Sequence, residues 1–272
     1  MKLKPNALSR VALLALAAGA LSTTSLMAGT PDKTPAPVTP APEEPFVTGN
    51  LTVLYETHFI SYGQDVWGIG NSWKDALIHP SLELDFNMGG GLQAYVNTWW
   101  DVNSLGVTTI GSQIQEVDIN AGFYYTMDKW KLQLGYGAWN YASQTESVID
   151  FKLSHTDVLN PFVAVHARIA DRFAEVGIPL ERGVVGQVGI APALTLGPVS
   201  LSFPVTVSVD SHDFHGGDGG FAYVSAGISG SIPLTKHISM ILGATYYHTN
   251  HNVIPNPEDD FVVGSGGFSI SF

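Results

Sequence analysis

Hydrophobic and polar residues alternate one by one along most of the chain after Gly49. The clearest case is VSLSFPVTVSVD at 199–210, where odd positions are apolar and even positions carry Ser, Thr, Pro or Asp. The same period of two recurs at 114–125 and at 222–232. Successive side chains of a β-strand point to opposite faces, so this pattern predicts an all-β protein.

The alternation predicts about twelve strands, an even number. Tight connections such as NMGG, DK, GP and TK follow even strands, and longer connections follow most odd strands. Short turns on one side and long loops on the other are typical of bacterial outer-membrane barrels. We therefore predict a closed antiparallel transmembrane β-barrel with both termini in the periplasm. The predicted strands cover 49–60, 76–86, 91–101, 114–126, 129–142, 147–155, 161–171, 184–196, 199–210, 221–234, 237–248 and 261–272.

A soluble β-sandwich is the main alternative for a chain with this pattern. It would carry a more strongly charged surface, whereas charged residues make up only 13% of this chain. The chain also has no cysteine. Disulfides are therefore unavailable in an oxidising compartment, and stability must come from the fold alone.

The amino terminus has the pattern of a secretory signal peptide. Basic residues precede the apolar run VALLALAAGAL, and a small-residue stretch ends near Ala28. The run is shorter than the roughly 20 apolar residues that a membrane helix needs. We predict a cleaved signal peptide over 1–28 and export to the bacterial outer membrane. The basic residues are Lys2, Lys4 and Arg10.

A proline-rich stretch, TPDKTPAPVTPAPEEP, follows the predicted signal peptide. Prolines at this density favour an extended, solvated chain that cannot join a strand ladder. Residues 29–46 are therefore predicted to form a flexible periplasmic linker, and residues 47–272 the barrel.

Acidic residues outnumber basic ones, with 24 Asp and Glu against 12 Lys and Arg and a formal net charge of −12. An acidic water-filled passage concentrates cations and repels anions. We therefore predict a porin-like channel for passive diffusion of small solutes, with a preference for cationic or neutral species. The charged residues predicted to face the lumen are Glu56, Glu83, Asp85, Asp101, Glu116, Asp118, Lys131, Asp150, Lys152, Arg168 and Asp210.

Two alternatives to a channel remain open at this stage. The inward charges could pair across the wall and fill the interior, which would leave a non-conducting structural barrel. The long predicted loop after the first strand, with Trp67 and Trp73, could instead serve adhesion.

Aromatic residues with a polar edge settle at the two membrane interfaces. Several aromatics fall at predicted strand ends, in register with the lipid-facing positions. They predict contact with outer-membrane lipid and lipopolysaccharide, and the strand ending in a terminal Phe is typical of substrates of the barrel-assembly machinery. The predicted interface aromatics are Phe59, Phe86, Trp100, Tyr125, Trp130, Tyr246 and Phe272.

The first five predicted strands contain five distinctive stretches: LTVLYETHFISYGQ (51–64), HPSLELDF (79–86), LQAYVNTWWDVN (92–103), EVDINAGFYY (116–125) and KLQLGYGAWNY (131–141). In these stretches the chain resembles the TorF family of small outer-membrane porins of Gram-negative-type bacteria. This resemblance implies an outer-membrane barrel with a role in transport. In that family the first external loop commonly opens with an arginine before a glycine, a place taken here by Tyr62.

Two predicted external loops contain histidines and raise the question of metal binding. They are SHDFHGGDGG (211–220), with His212, Asp213, His215 and Asp218, and YYHTNHN (246–252), with His248 and His251. Imidazole and carboxylate suit zinc, nickel or copper. Histidines spaced by two or three residues on glycine-rich loops are a weak pattern, however, and we predict neither a metal site nor a cofactor.

An outer-membrane lipid hydrolase is the enzymatic alternative. Such catalysis needs a nucleophile within hydrogen-bond reach of an oriented base. The local candidates, Ser154 with His155 and Ser211 with His212, are adjacent residues that would point to opposite faces of a strand. We therefore predict no catalytic residues, and nothing in the chain indicates nucleic-acid binding.

Overall fold

The computed structural model describes residues 45–68, 77–105, 110–141, 144–170 and 182–272. The predicted signal peptide, nearly all of the predicted linker, and Trp73 lie outside these residues. Every regular element in the described part is a β-strand. The strands are β1 (Val47–Glu56), β2 (Ile60–Ser61), β3 (Gln64–Asp65), β4 (Leu77–Gly89), β5 (Leu92–Val102), β6 (Ile114–Met127), β7 (Trp130–Tyr141), β8 (Gln144–His155), β9 (Phe162–Ala170), β10 (Gly183–Ile190), β11 (Ala193–Leu196), β12 (Val199–Ser202), β13 (Val205–Asp210), β14 (Gly220–Pro233), β15 (Ile238–Thr249) and β16 (Asp260–Ser271).

Fourteen of these strands form one antiparallel sheet that closes on itself. β1 pairs with both β4 and β16, and β15 pairs with both β14 and β16, so no gap separates the first and last wall strands. β10 with β11, and β12 with β13, are two wall strands that are each interrupted at a proline, Pro192 and Pro204. Proline has no N–H to donate to the ladder. The wall therefore has twelve strands, and the predicted barrel is confirmed.

The outer face of the wall is apolar and open to the surroundings. Large hydrophobic side chains recur at alternate positions around the barrel, and several are more than half exposed. A soluble monomer rarely exposes so much contiguous apolar surface, whereas a lipid-facing wall requires it. No helix in the described residues is long and apolar enough to cross a membrane. Examples of this outer set are Ile119, Phe123, Leu134, Val188 and Val262, which are 51–58% exposed.

The two rims of the barrel differ. We call the rim with the short connections the turn end; it also holds the start of β1 and the end of β16. The opposite rim, where β1 ends and β4 begins, is the loop end. The connections at the turn end are 90–91, 128–129, 156–161, 197–198 and 234–237.

One turn-end connection depends on glycine. Gly91 has a φ of +84°, and a Cβ there would collide with the carbonyl oxygen of Thr126 on the neighbouring strand. Gly90 has a similarly positive φ of +62° but faces open space. Left-handed backbone costs a non-glycine residue about 1–3 kcal/mol.

We expect Gly91→Ala to lower the free energy of unfolding by at least about 2 kcal/mol, because it adds a backbone clash to the strain. Gly90→Ala, the matched control, should cost only about 1 kcal/mol. Urea titration of the protein refolded in lipid vesicles measures both values. Equal losses in the two variants would show that the contact with Thr126 does not matter.

The predicted position of Phe59 at a membrane interface is wrong. β1 ends at Glu56, not at residue 60, and the chain then turns inward into the lumen of the barrel. The ring of Phe59 packs against His79 and Trp99, with centroid distances of 5.4 and 5.0 Å. The apolar–polar alternation of the sequence continues past Glu56 because Phe59 is apolar for a different reason: it packs inside the lumen and does not face lipid. The other six predicted interface aromatics lie on the outer wall: Phe86, Trp100, Tyr125, Trp130, Tyr246 and Phe272.

Candidate functional site

The barrel interior is lined by polar and charged side chains. Alternation along each wall strand places the residues next to the exposed apolar ones in the lumen. The structure places all of the following predicted charges there: Glu56, Glu83, Asp85, Asp101, Glu116, Asp118, Lys131, Asp150, Lys152, Arg168 and Asp210.

The segment after β1 folds into the lumen as a small hairpin formed by β2 and β3. Within it, His58 Nδ1 lies 2.9 Å from Asp65 Oδ2. Asn256, from the loop between β15 and β16, donates to the carbonyl oxygen of Gly63 at 2.9 Å and accepts from the backbone N–H of Asp65 at 2.9 Å. The hairpin is therefore held by the loop that leads into β16, the wall strand next to β1. We call residues 57–68 the inward segment.

Tyr62 lies at the tip of this hairpin and reaches the far wall. Its phenol donates to Asp150 Oδ1 at 3.3 Å, and its ring stacks on His166 at a centroid distance of 4.1 Å. Trp139 stacks on the other two rings, 6.2 Å from Tyr62 and 5.0 Å from His166. Burial, and then the Asp150 carboxylate, raise the pKa of Tyr62 well above its usual value, so the phenol stays neutral and donating.

Two cavities occupy the lumen, with volumes of about 470 and 440 Å³. The larger one extends towards the turn end between Glu83 and Lys152, and the other extends across to Tyr223 and Tyr247. They meet at a ring of shared residues, which we call the belt. The belt residues are Tyr62, Trp99, Asp118, Trp139 and Gln187.

Most lumenal carboxylates near the loop end have a histidine partner. His79 Nδ1 lies 2.6 Å from Glu56 Oε2, and its Nε2 lies 3.3 Å from Asp101 Oδ1. Asp101 also accepts from the indole N–H of Trp67 at 2.9 Å. Trp67, which we considered as an adhesive loop residue, therefore folds back onto the inner wall. Asp150 is paired in the same way, 2.7 Å from His166.

Arg168 and Glu146 form a buried ion pair. Arg168 is 6% exposed and Glu146 2% exposed. The Arg168 Nε donates to Glu146 Oε2 at 2.8 Å, and its Nη1 donates to the carbonyl oxygen of Phe214 at 2.7 Å. The guanidinium also lies 4.2 Å from the centroid of the Phe214 ring. This arginine therefore attaches the loop between β13 and β14 to the wall.

A smaller group of lumenal charges has no oppositely charged side chain within 4.0 Å among the described residues. Two of them, Glu116 and Asp118, lie on the same inward face of β6 and line the same cavity. The complete group is Glu83, Asp85, Glu116, Asp118, Lys131 and Lys152.

The histidine-containing loops do not bring three or more metal-binding side chains together in the described residues. His215 is buried and faces Gln64 Oε1 at 3.0 Å and Asp210 Oδ2 at 3.4 Å, whereas His212 is exposed beside Asp213. Burial, and then the charge of Arg168, lower the pKa of His215 to about 3. In the other loop, His248 and His251 each lie beside a different aspartate. The described residues contain no group of three or more His, Cys, Asp or Glu able to hold a metal ion.

The two serine–histidine neighbours have separate partners. Ser154 Oγ donates to the carbonyl oxygen of Lys131 at 3.4 Å, and Ser211 Oγ accepts from the backbone N–H of Val184 at 2.8 Å. Each neighbouring histidine faces an aspartate instead. The geometry therefore gives neither serine a base that could activate it.

Sequence reasoning missed the aromatic residues that face the lumen, including those of the belt. Trp99, a belt residue, and its neighbour Tyr95 share the face of β5 that carries Asp101, and this spacing was a signal that they point inward. We interpreted aromatics mainly as membrane-interface residues, and so the inward-facing tryptophans were left unassigned.

Comparison with known proteins gives structural matches only. No family model matches the chain, and no curated protein matches it. The NanC porin is 13% identical over 82% of this chain and 98% of that one, with a TM-score of 0.47. The KdgM porin is 10% identical over 82% and 99%, with a TM-score of 0.47. Outer membrane phospholipase A from Escherichia coli is 13% identical over 82% and 92%, with a TM-score of 0.41.

The class of this protein is defined by its own strand pairing and its exposed apolar wall: it is a transmembrane β-barrel. Membership of the TorF family stays a prediction, because no family model matches the chain.

Proposed function

We propose that this chain is a porin-like channel through which small solutes diffuse passively across the bacterial outer membrane. The observation that carries the proposal is the pair of cavities, about 470 and 440 Å³, that contain charged side chains and meet at the belt inside a closed wall. A polar passage surrounded by a lipid-facing barrel replaces part of the hydration shell of a solute in transit. We place the narrow part of this passage at the belt, because Tyr62 reaches across the lumen there to Asp150.

The proposed orientation has the turn end in the periplasm and the loop end outside the cell. The short connections support it, because outer-membrane barrels have short periplasmic turns and longer extracellular loops. In this setting the outer aromatics contact outer-membrane lipid and lipopolysaccharide, and the barrel-assembly machinery inserts the chain after export.

We expect the channel to prefer potassium over chloride, but only about five-fold or less. Several lumenal carboxylates have a basic partner, and Lys131 and Lys152 offset part of the remaining negative charge. One net charge at about 4 Å in water is worth about 1 kcal/mol. The reversal potential of refolded protein in a planar bilayer with a salt gradient measures this ratio. A preference for chloride would contradict the proposed cation selectivity.

A non-conducting barrel is the second candidate, and the inward segment favours it. Asn256 and Asp150 fasten this segment on opposite sides of the lumen, where it fills part of the cross-section. The same bilayer recording separates the two candidates. Current steps support the channel, and their absence at every voltage the membrane tolerates would leave the non-conducting barrel.

A further inference from the structure

In the turn half of the lumen, acidic and basic side chains lie on different wall strands, with β5 and β6 between them. Glu83 and Asp85 lie on β4, whereas Lys131 and Lys152 lie on β7 and β8. None of these four side chains has an oppositely charged partner within 4.0 Å among the described residues. Opposite charges in a narrow lumen that do not neutralise each other create a fixed field across it.

Tyr124 keeps two of these charges apart. Its phenol donates to Glu83 Oε1 at 3.3 Å, and Lys131 Nζ lies 3.8 Å from the centroid of its ring. Tyr95 stacks on Tyr124 at a centroid distance of 4.6 Å and so fixes the ring between them. The carboxylate and the ammonium are therefore held near each other without forming a direct ion pair.

The two lysines share a small cavity of their own. It has a volume of about 140 Å³ and is lined by both lysines together with Tyr124, Gln133 and Ser154. Lys152 is kept in place by the ring of Phe162, 4.6 Å from its Nζ. Two ammonium groups and an amide can donate hydrogen bonds, which suits a carboxylate.

This small cavity adjoins the larger lumenal cavity. Gln133 and Lys152 line both, and the larger one also reaches Glu83 and Asp118. A ligand that spans the two cavities would meet ammonium groups at one end and carboxylates at the other. Asn97 and Asn120 lie between the two ends and offer hydrogen bonds to a polar backbone.

We propose that this region is a binding site for small zwitterions that carry both an ammonium and a carboxylate group, such as amino acids and short peptides. The carboxylate lies between Lys131 and Lys152, and the ammonium faces Glu83. The inference rests on the proposed function, since the ligand reaches the site through the lumen. A simple cation or a simple anion satisfies only one end and meets like charge at the other.

The test compares each charged solute with an uncharged solute of its own size in vesicles that contain the refolded protein. Diglycine should enter up to about 25-fold faster than erythritol, because each of its two matched charge pairs near 4 Å in water contributes about a five-fold factor. Methylammonium and acetate, each with one charge, should show smaller gains. Calorimetric titration of the detergent-solubilised protein with diglycine measures binding independently of transport.

Charge-neutral variants locate the site. Glu83→Gln and Lys152→Gln should each lower the advantage of diglycine over erythritol about five-fold, because each removes one matched charge pair. Gln at position 83 still accepts a hydrogen bond from Tyr124, so the spacer is retained. Matched controls are Asp128→Asn and Lys129→Gln in an exposed turn, which should behave like the unmodified protein. The heat-dependent gel shift of folded barrels checks that every variant folds.

The outcomes separate this inference from the proposed function. Entry of erythritol without any advantage or measurable heat for diglycine would overturn the zwitterion site and keep the channel. Failure of every solute to enter would overturn the channel. In that case the calorimetric titration still tests the site: heat released by diglycine with the unmodified protein and lost in Lys152→Gln would support it. An equal advantage in Lys152→Gln and in Lys129→Gln would also overturn the site.

Discussion

Replacing Tyr62 by glycine is expected to raise the single-channel conductance at least about two-fold, because the narrowest part of a short pore dominates its resistance. Tyr62 crosses the lumen from the inward segment to Asp150 and His166, and it lines both lumenal cavities. Its φ of +47° lies in the left-handed region, which glycine adopts without strain. Planar-bilayer recording of the refolded variant gives the result directly.

Two further variants interpret this measurement. Tyr62→Phe keeps the ring and loses only the hydrogen bond to Asp150, so its conductance should stay close to that of the unmodified protein. Tyr125→Ala removes a tyrosine from the outer wall and should leave conductance unchanged. If Tyr62→Gly conducts no better than Tyr125→Ala, the constriction lies elsewhere in the lumen.

Replacing Arg168 by methionine is expected to lower the free energy of unfolding by about 3–5 kcal/mol, the usual cost of removing one partner from a buried ion pair. Glu146 would keep its buried carboxylate without the guanidinium that now lies 2.8 Å away. The carbonyl oxygen of Phe214 would lose a donor as well. Urea titration of the protein in lipid vesicles measures the change.

The double variant Arg168→Met with Glu146→Gln tests the electrostatic cause. It should recover part of the loss, since the buried carboxylate is then neutral. Lys129→Met, at an exposed turn, should change stability by no more than about 0.5 kcal/mol. A loss in Arg168→Met no greater than in Lys129→Met would mean that the pair adds nothing to stability.

The strands were predictable because their signal is local. Val188 faces outward and the preceding residue, Gln187, faces inward. Every wall strand shows this alternation, because one face contacts lipid and the other faces the polar lumen. Pro192 and Pro204 did not disturb the prediction, since each interrupts only its own ladder and the strand resumes beyond it.

The first loop was harder to predict. Phe59 continues the alternation of β1, so the pattern extends the strand although the wall has already ended. What turns the segment inward is Asn256, whose amide binds the carbonyl oxygen of Gly63 from 193 positions away. No local pattern contains that information.

For the charged residues, the sequence predicted the face of the strand but not the partner. The period of two places Asp150 and Arg168 on the inner face, whereas nothing in it identifies the side chains that they contact. Asp150 meets Tyr62 across 88 positions of the chain, and this contact depends on how the loop folds into the barrel. Counting carboxylates from the sequence therefore overstates the free negative charge of the lumen.

The amino-acid sequence alone determined the wall, namely its all-β class, its number of strands and the face of each residue, because each depends on alternation within a single strand. The tertiary structure alone decided how the interior is arranged. It placed Tyr62 across the lumen and left Lys131 and Glu83 on either side of Tyr124. The physical reason is that such contacts join side chains on different strands and loops, whose distances are set only when the sheet closes.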